Sequence, residues 1–411
     1  MEATAPPPPP PPSVGASGSP SSQPLQLGQK LWPAAAELRA PDTSPAVSPA
    51  VTSVVVSPDG RCMVSGGADG CLQLWSRASP SADWSASTRV VACRASAPGA
   101  SRAHESEVNA LALRDTVLLS GAADGAVKMW RAEVKTEASG RLDAALYNLR
   151  TMQADQEAPQ DVMCVALPSE SVAVEWGASG SQDGYVGIWD LASAQRRQRL
   201  KHRHWVMALE VAHSLGDSKV LVLAGCYDGS CVLWRADACA TGNKFEPQAF
   251  QKWRQLSSRS EAESAAILSV DLCAARGGSH LAACGTNGGS IRVWRVGGEG
   301  GAASAGGATA SADAPLVTHQ TAHGAGVTSL RWRGAAAVSA AEEIFSAGED
   351  GYARRWAVDV AGGAAGGALR PLQELEVQRE AEVMCAKCTE GNGEVACAVN
   401  DGSVQVLVVR G

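Results

Sequence analysis

Ser120-Gly-Ala-Ala-Asp124-Gly125-Ala-Val-Lys-Met-Trp130 is the phrase from which the architecture can be read, because it recurs along the chain in fixed register. An Asp-Gly pair flanked by alternating residues signals a tight hairpin, and the expected turn is type I′, with φ > 0 at both central residues. The incoming strand carries Leu118, Leu119 and Ser120. In the outgoing strand Val127 and Met129 alternate with Lys128 and Trp130, the two-residue period of a pleated strand.

Aligned on the turn, the other copies run Ser65, Asp69, Trp75; Ser179, Asp183, Trp189; and Ala224, Asp228, Trp234. Cys284, Gly288, Trp294 come next, then Ser346, Asp350, Trp356, and finally Cys397, Asp401, Leu407. In each copy the first residue precedes the turn by four and the last follows it by six, while the chain between copies varies in length. A long repeat period with several strands per copy means a propeller or a solenoid.

These copies resemble the WD40-repeat β-propeller family, over nearly all of the chain after residue 50. The resemblance implies an all-β fold: one seven-bladed propeller of four-stranded antiparallel blades, with the ring closed by an N-terminal strand. The family places a His at the start of each repeat, four residues before the Val that opens the innermost strand. Two copies match its His, Ser, Asp, Trp set in full: His104, Ser120, Asp124, Trp130 and His323, Ser346, Asp350, Trp356. His202 stands at the same offset before Val206, but that copy has Ala224 for Ser. Val47, Ala158, Glu263 and Arg379 occupy the His position elsewhere. Blade five, with Glu263, Cys284 and Gly288, keeps none of the polar set and is expected to be the loosest.

A carboxylate beside a tight turn accepts backbone N–H bonds and a His proton, which ties loop to strand. Ser, His and Asp together also suggest a hydrolase, but the set repeats in several blades and an enzyme needs one site. The chain has no phosphate-cradling glycine loop, no metal-ligand cluster and no lone nucleophile beside a base, so the expectation is a non-enzymatic protein without cofactor or metal.

With 411 residues, 45% of them hydrophobic, the chain can bury a large core. Phe and Tyr number only three and four against twelve Trp, and six of the Trp end repeat strands. The net charge of −7 argues against general affinity for nucleic acid or anionic membranes, which draw on excess Lys and Arg. No run of about twenty apolar residues exists to span a bilayer, and Met1 to Ala5 lacks the basic and apolar regions of a signal peptide. The twelve cysteines are scattered mostly on strand patterns and read as small buried hydrophobes in a reducing compartment, so the expected location is intracellular, cytoplasmic or nuclear. Cys385 and Cys388, the one C-x-x-C, lie three apart on a strand and point to opposite faces, which rules out a shared metal.

Residues 1–24 are rich in Pro, Ser and Gly and are expected to be a disordered tail, leaving residues 25–411 as the propeller. The proline run Pro6 to Pro12 is a polyproline II segment of the kind that SH3, WW or profilin-type partners dock; a solvated tail is the plainer reading. Blade seven ends with Ser403 to Val409 and needs an outer strand from elsewhere. Leu25 to Trp32 is the expected donor. The Gly/Ala tract from Gly297 to Ala314 reads as a spacer. Arg196, Arg197, Arg199, Lys201, His202, Arg203 and His204, on the outer strand of blade three and the loop after it, suggest either a nuclear or RNA-contacting signal or an edge strand protected by charge; the second is favoured.

In propellers similar to this chain the narrow-end face is lined by three positions per blade: the residues either side of the first Val of the inner strand, and the residue before the turn Asp. Carried onto this sequence, these are Ala50, Thr52, Ala68; Glu107, Asn109, Ala123; Asp161, Met163, Gln182; and Trp205, Met207, Tyr227. Blades five to seven add Ala266, Leu268, Asn287; Gly326, Thr328, Glu349; and Glu382, Met384, Asn400. Trp205, Tyr227, Met207, Met163 and Leu268 are expected to form an apolar patch on blades three to five, ringed by acidic Glu107, Asp161, Glu349 and Glu382. Such a patch favours a partner peptide with Lys or Arg beside an apolar residue. The competing reading makes Trp205 and Tyr227 ordinary blade packing.

Two functions fit: an interaction scaffold or adaptor within a multiprotein complex, or the substrate receptor of a cullin-type ubiquitin ligase. Receptors of the second kind often carry Trp-Asp-x-Arg at the end of a repeat. Here Trp189-Asp190 is followed two residues later by Ala192, which lowers that reading. Fold alone does not select between them.

Overall fold

The computed structural model describes residues 36–38, 49–79, 82–86, 102–136, 142–153, 159–168, 175–214, 219–241, 244–247, 249–257, 265–275, 279–297, 315–333, 342–359, 367–378, 381–388 and 394–408. These form strands and turns with no helix, and hence no helix long and apolar enough to cross a membrane. The strands make seven antiparallel sheets, the blades of a propeller. The inner strands are Val51–Val56, Val108–Arg114, Val162–Ala166, Val206–Ser214, Ile267–Ala274, Ser329–Arg333 and Val383–Cys388. Each packs beside the next, and the seventh packs beside the first, so the ring is closed.

The turn chemistry differs from expectation. Gly125 has φ +76°, but Asp124 is not among the described non-Gly residues with positive φ, so the turn is not type I′. The strands end at Ala122 and resume at Ala126, and the Gly125 N–H donates to the Ala122 carbonyl at 3.1 Å. This is a three-residue hairpin loop closed by a left-handed glycine. Asp124 contributes through its carboxylate, which accepts the Ala126 N–H at 3.0 Å. The same bond recurs from Cys71, Tyr185, Ser230, Tyr352 and Ser403 to the Asp of their own turns.

Ring closure also differs in detail. A strand from before the first blade does complete blade seven, but it is Ala36–Leu38, pairing with Val404–Val406. The expected donor, Leu25 to Trp32, lies outside the described residues, as do the Pro6 to Pro12 run and the 1–24 segment. Outer strands vary widely. Among the described residues the outer strand of blade one is Ser85–Ala86 and that of blade five Val317–His319, whereas that of blade two is the twelve-residue Leu142–Gln153. In blade four the third strand, Cys231–Thr241, pairs with both Lys244–Pro247 and Gln251–Ser257.

The core lies between blades, where facing sheets bury alternate residues such as Val54, Leu111, Val165, Leu209, Val270 and Leu330. Neighbouring inner strands share no backbone ladder. Small polar side chains bridge them instead: Ser269 Oγ donates to Val327 O and Ser329 Oγ to Ala386 O, each at 2.7 Å. Cys164 Sγ reaches Val206 O, and Cys385 Sγ reaches Val54 O across the closure. Cys62, Cys164, Cys226, Cys231, Cys284 and Cys397 are buried, while Cys71, Cys273, Cys385 and Cys388 are half-buried. Among the described residues no cluster of His, Cys, Asp or Glu is placed to hold a metal.

Candidate protein-interaction face

The polar sets build one side of the ring. In blade two Trp130 Nε1 donates to Ser120 Oγ at 2.8 Å, Ser120 Oγ meets His104 Nε2 at 2.7 Å, and His104 Nδ1 meets Asp124 Oδ2 at 3.0 Å. Blade six repeats the chain: Trp356 to Ser346 at 2.8 Å, Ser346 to His323 at 2.7 Å, His323 to Asp350 at 2.8 Å. Ser120 and Ser346 are fully buried with an indole N–H aimed at the hydroxyl, so these sets fasten loops and offer no accessible nucleophile. Burial pushes the His104 and His323 imidazoles below their usual range, partly offset by their Asp partners. Burial alone would raise Asp124, but the His104 bond and the N–H groups of Ala126 and Glu105 outweigh it and hold the carboxyl at about 2.

Blade four solves the same problem without the serine. With Ala224 in that place, Trp234 Nε1 donates directly to His202 Nε2 at 3.1 Å, and His202 Nδ1 lies 3.4 Å from Cys226 Sγ. Burial lowers His202 to about 4, and the Lys252 charge adds to the shift. In blade five Thr286 and Ser290 bond each other at 2.8 Å at the turn, where the other copies use Asp.

This fastening brings together the positions read from the sequence. In every blade the last of the three positions donates its backbone N–H to the carbonyl of the first, at 2.9 to 3.1 Å: Ala68 to Ala50, Ala123 to Glu107, Gln182 to Asp161, Tyr227 to Trp205, Asn287 to Ala266, Glu349 to Gly326, and Asn400 to Glu382. The face is therefore seven repeats of one local arrangement. Its composition is uneven: of the twenty-one positions four are Asp or Glu and none is Lys or Arg.

Trp205 is 39% exposed and Tyr227 47%, two of only three large hydrophobic residues exposed among those described. Their rings lie 5.2 Å apart at 49°. His204, which the sequence placed only in a basic run, completes a cluster. It stacks on Tyr227 at 5.2 Å and 24°, tilts against Trp205 at 5.4 Å, and accepts the Trp205 backbone N–H at Nδ1. Met163, Met207 and Leu268 are half-buried. Met163 receives Gln182 Nε2 at 3.7 Å, and Gln182 also donates to Asp161 at 3.1 Å. Glu349 and Glu382 are exposed, while Glu107 and Asp161 are half-buried. The aromatic residues thus stand at the surface rather than within the blade.

The basic run resolves differently. Gln195–Lys201 is the outer strand of blade three. Arg197 pairs with Asp190, and Arg199 pairs with Asp183 at 3.0 Å while lying 3.8 Å over the Tyr185 ring. These arginines serve their own blade. The same contact occupies Asp190, the acid of the one Trp-Asp pair.

A second group went unread in the sequence. Four residues beyond Val51, Val108, Val162, Val206, Ile267, Val327 and Val383, the first apolar residue at or just before each inner strand, stand Val55, Ala112, Ala166, Glu210, Asp271, Arg331 and Lys387. Arg331 Nη1 reaches Glu210 Oε2 at 2.6 Å and Asp271 Oδ1 at 3.1 Å, and Asp271 Oδ2 accepts the Trp332 N–H at 2.6 Å. Burial raises Asp271 to about 6 against the pull of Arg331. Aligning inner strands on that first residue would have exposed the pattern, since a fixed offset on a strand fixes the face.

Residues 44–76 and 98–131 match the family model described as WD domain, G-beta repeat. A solved structure titled as the WD40 beta propeller domain of Doa1 superposes with a TM-score of 0.58, at 17% identity, over 90% of this chain and 95% of that one. No curated protein matches the sequence. Two segments of the chain thus match the WD40 repeat, and the described residues fold as a seven-bladed β-propeller. Propellers of this family generally bind protein partners and are generally not enzymes.

Proposed function

We propose that the protein is a non-enzymatic adaptor inside the cell, docking a protein partner within a multiprotein complex through the face of blades three to five. One observation carries the reading: the only exposed aromatic cluster among the described residues sits on a face whose charged positions are all acidic. Exposed aromatic anchors beside charged rims are what interfaces use for affinity and register. Trp205 and Tyr227 supply the anchor, Met163, Met207 and Leu268 the adaptable apolar floor, and Glu107, Asp161, Glu349 and Glu382 the charge. Affinity purification with mass spectrometry on the wild type and on a Trp205→Ala, Tyr227→Ala double variant of unchanged fold tests it. Loss of a specific partner set supports the docking face; a partner set that survives intact overturns it.

A further inference from the structure

Building on that docking face, we infer that the His204, Trp205, Tyr227 cluster receives the ammonium head of a lysine side chain on the partner protein, more tightly when the nitrogen is alkylated. Three observations converge on this ligand.

The first is charge. The face offers four carboxylates and no Lys or Arg at its twenty-one positions, so it draws cations toward it. None of the four carboxylates belongs to blade four or blade five, where the positions are Trp205, Met207, Tyr227, Ala266, Leu268 and Asn287. The attraction is set by the rim, and the contact is made by uncharged rings.

The second is exposure. Large aromatic rings left open to water cost burial they would otherwise gain, and Trp205 and Tyr227 are both open while the repeat-ending Trp75, Trp130, Trp189, Trp294 and Trp356 are buried. The negative face of an aromatic ring attracts a cation, most strongly for Trp.

The third is shape. Tyr227 and His204 stack nearly parallel, and Trp205 leans across them at 49° and 57°. A flat guanidinium can lie on one of these planes but not on both. A rounded ammonium fits the corner between them, and alkyl groups on the nitrogen lower its hydration and widen its contact with the rings. Arg203, two residues before Trp205, is exposed on the same loop and opposes a bound cation.

The test uses the full-length protein and two probes of one shape: choline, and 3,3-dimethylbutan-1-ol, in which carbon replaces the charged nitrogen. Titration by saturation-transfer NMR is expected to show choline binding on the order of fivefold tighter than the neutral alcohol. Trp205→Ala should abolish that preference, Trp205→Phe should retain part of it, and Arg203→Gln should strengthen choline binding. Melting temperatures identify any variant that has lost its fold, and Trp205→Phe keeps the test open if Trp205→Ala does.

Equal affinity for the two probes overturns the inference, as does choline binding unchanged in Trp205→Ala, or methylguanidinium binding tighter than choline. If the charge preference is absent while the double variant still loses its partners, the docking face stands and the lysine assignment alone falls. If the partners survive the double variant, the docking face itself falls.

Discussion

Arg77 holds Glu394 in a two-pronged pair, Nη1 to Oε1 at 2.9 Å and Nη2 to Oε2 at 2.6 Å, joining the residue after the third strand of the first blade to the second strand of the last. Arg77 is 2% exposed, and its Nε donates to Gly60 O at 2.5 Å while its guanidinium lies 4.2 Å over Trp84. The pair sits where the ring closes. Removing one partner of a buried pair strands the other, so Arg77→Ala and Glu394→Gln are each expected to cost about 3 kcal/mol of unfolding free energy. An Arg77→Met, Glu394→Leu double variant should recover much of it; urea titration of the three proteins decides.

The strand Ala36–Leu38 pairs with Val404–Val406 and gives the last blade its fourth, outer strand. A chain beginning at residue 45 should therefore melt several degrees lower and aggregate more readily, whereas one beginning at residue 25 should melt like the full chain. Differential scanning fluorimetry of the two truncations is the measurement, and an unchanged melting temperature for the shorter chain removes the closing role of Ala36–Leu38.

His202 makes stability depend on pH. Its folded-state pKa of about 4 lies below the ordinary 6.5, so between those values the unfolded chain binds a proton that the folded chain refuses. Stability should fall by up to about 3 kcal/mol as pH drops from 7 to 4 on this account. His202→Gln should flatten that slope, as read by urea unfolding at pH 7, 5.5 and 4.5, at the cost of some stability at pH 7.

Arg331 neutralises two carboxylates at once, and Arg331→Met would leave Glu210 and Asp271 facing each other. A loss of about 3 kcal/mol is expected at pH 8. Asp271 is already raised to about 6, and without Arg331 it should climb further. A raised carboxyl favours the folded state at low pH, so the deficit should shrink between pH 8 and 5.5. A deficit constant across that range would mean that Arg331 acts through packing rather than charge.

Much of the architecture was legible because its causes are local. The Asp-Gly turn, the alternation after it and the Trp six residues beyond recur at fixed offsets, and a strand's two-residue period carries each offset to a definite face. The resemblance to WD40 propellers, not the period, placed Trp205, Tyr227, Glu349 and Glu382 on the narrow-end face; the fixed offsets are why the backbone bond from the turn to the inner strand recurs in all seven blades. The turn type was misread for a related reason: Asp-Gly suits two different tight turns, and only the backbone angles separate them.

What the sequence determined by itself was the repeat, the number of blades, and which residue of each blade faces which way, because these follow from chain-local geometry. Only the tertiary structure decided which strand closes the ring, that His204 joins Trp205 and Tyr227, and that Arg331 meets Glu210 and Asp271 from three different blades. Ring closure and the Arg331 pairs join residues far apart in the chain; a shared offset can mark the face on which Glu210, Asp271 and Arg331 stand, but which of them pair depends on the whole ring folding.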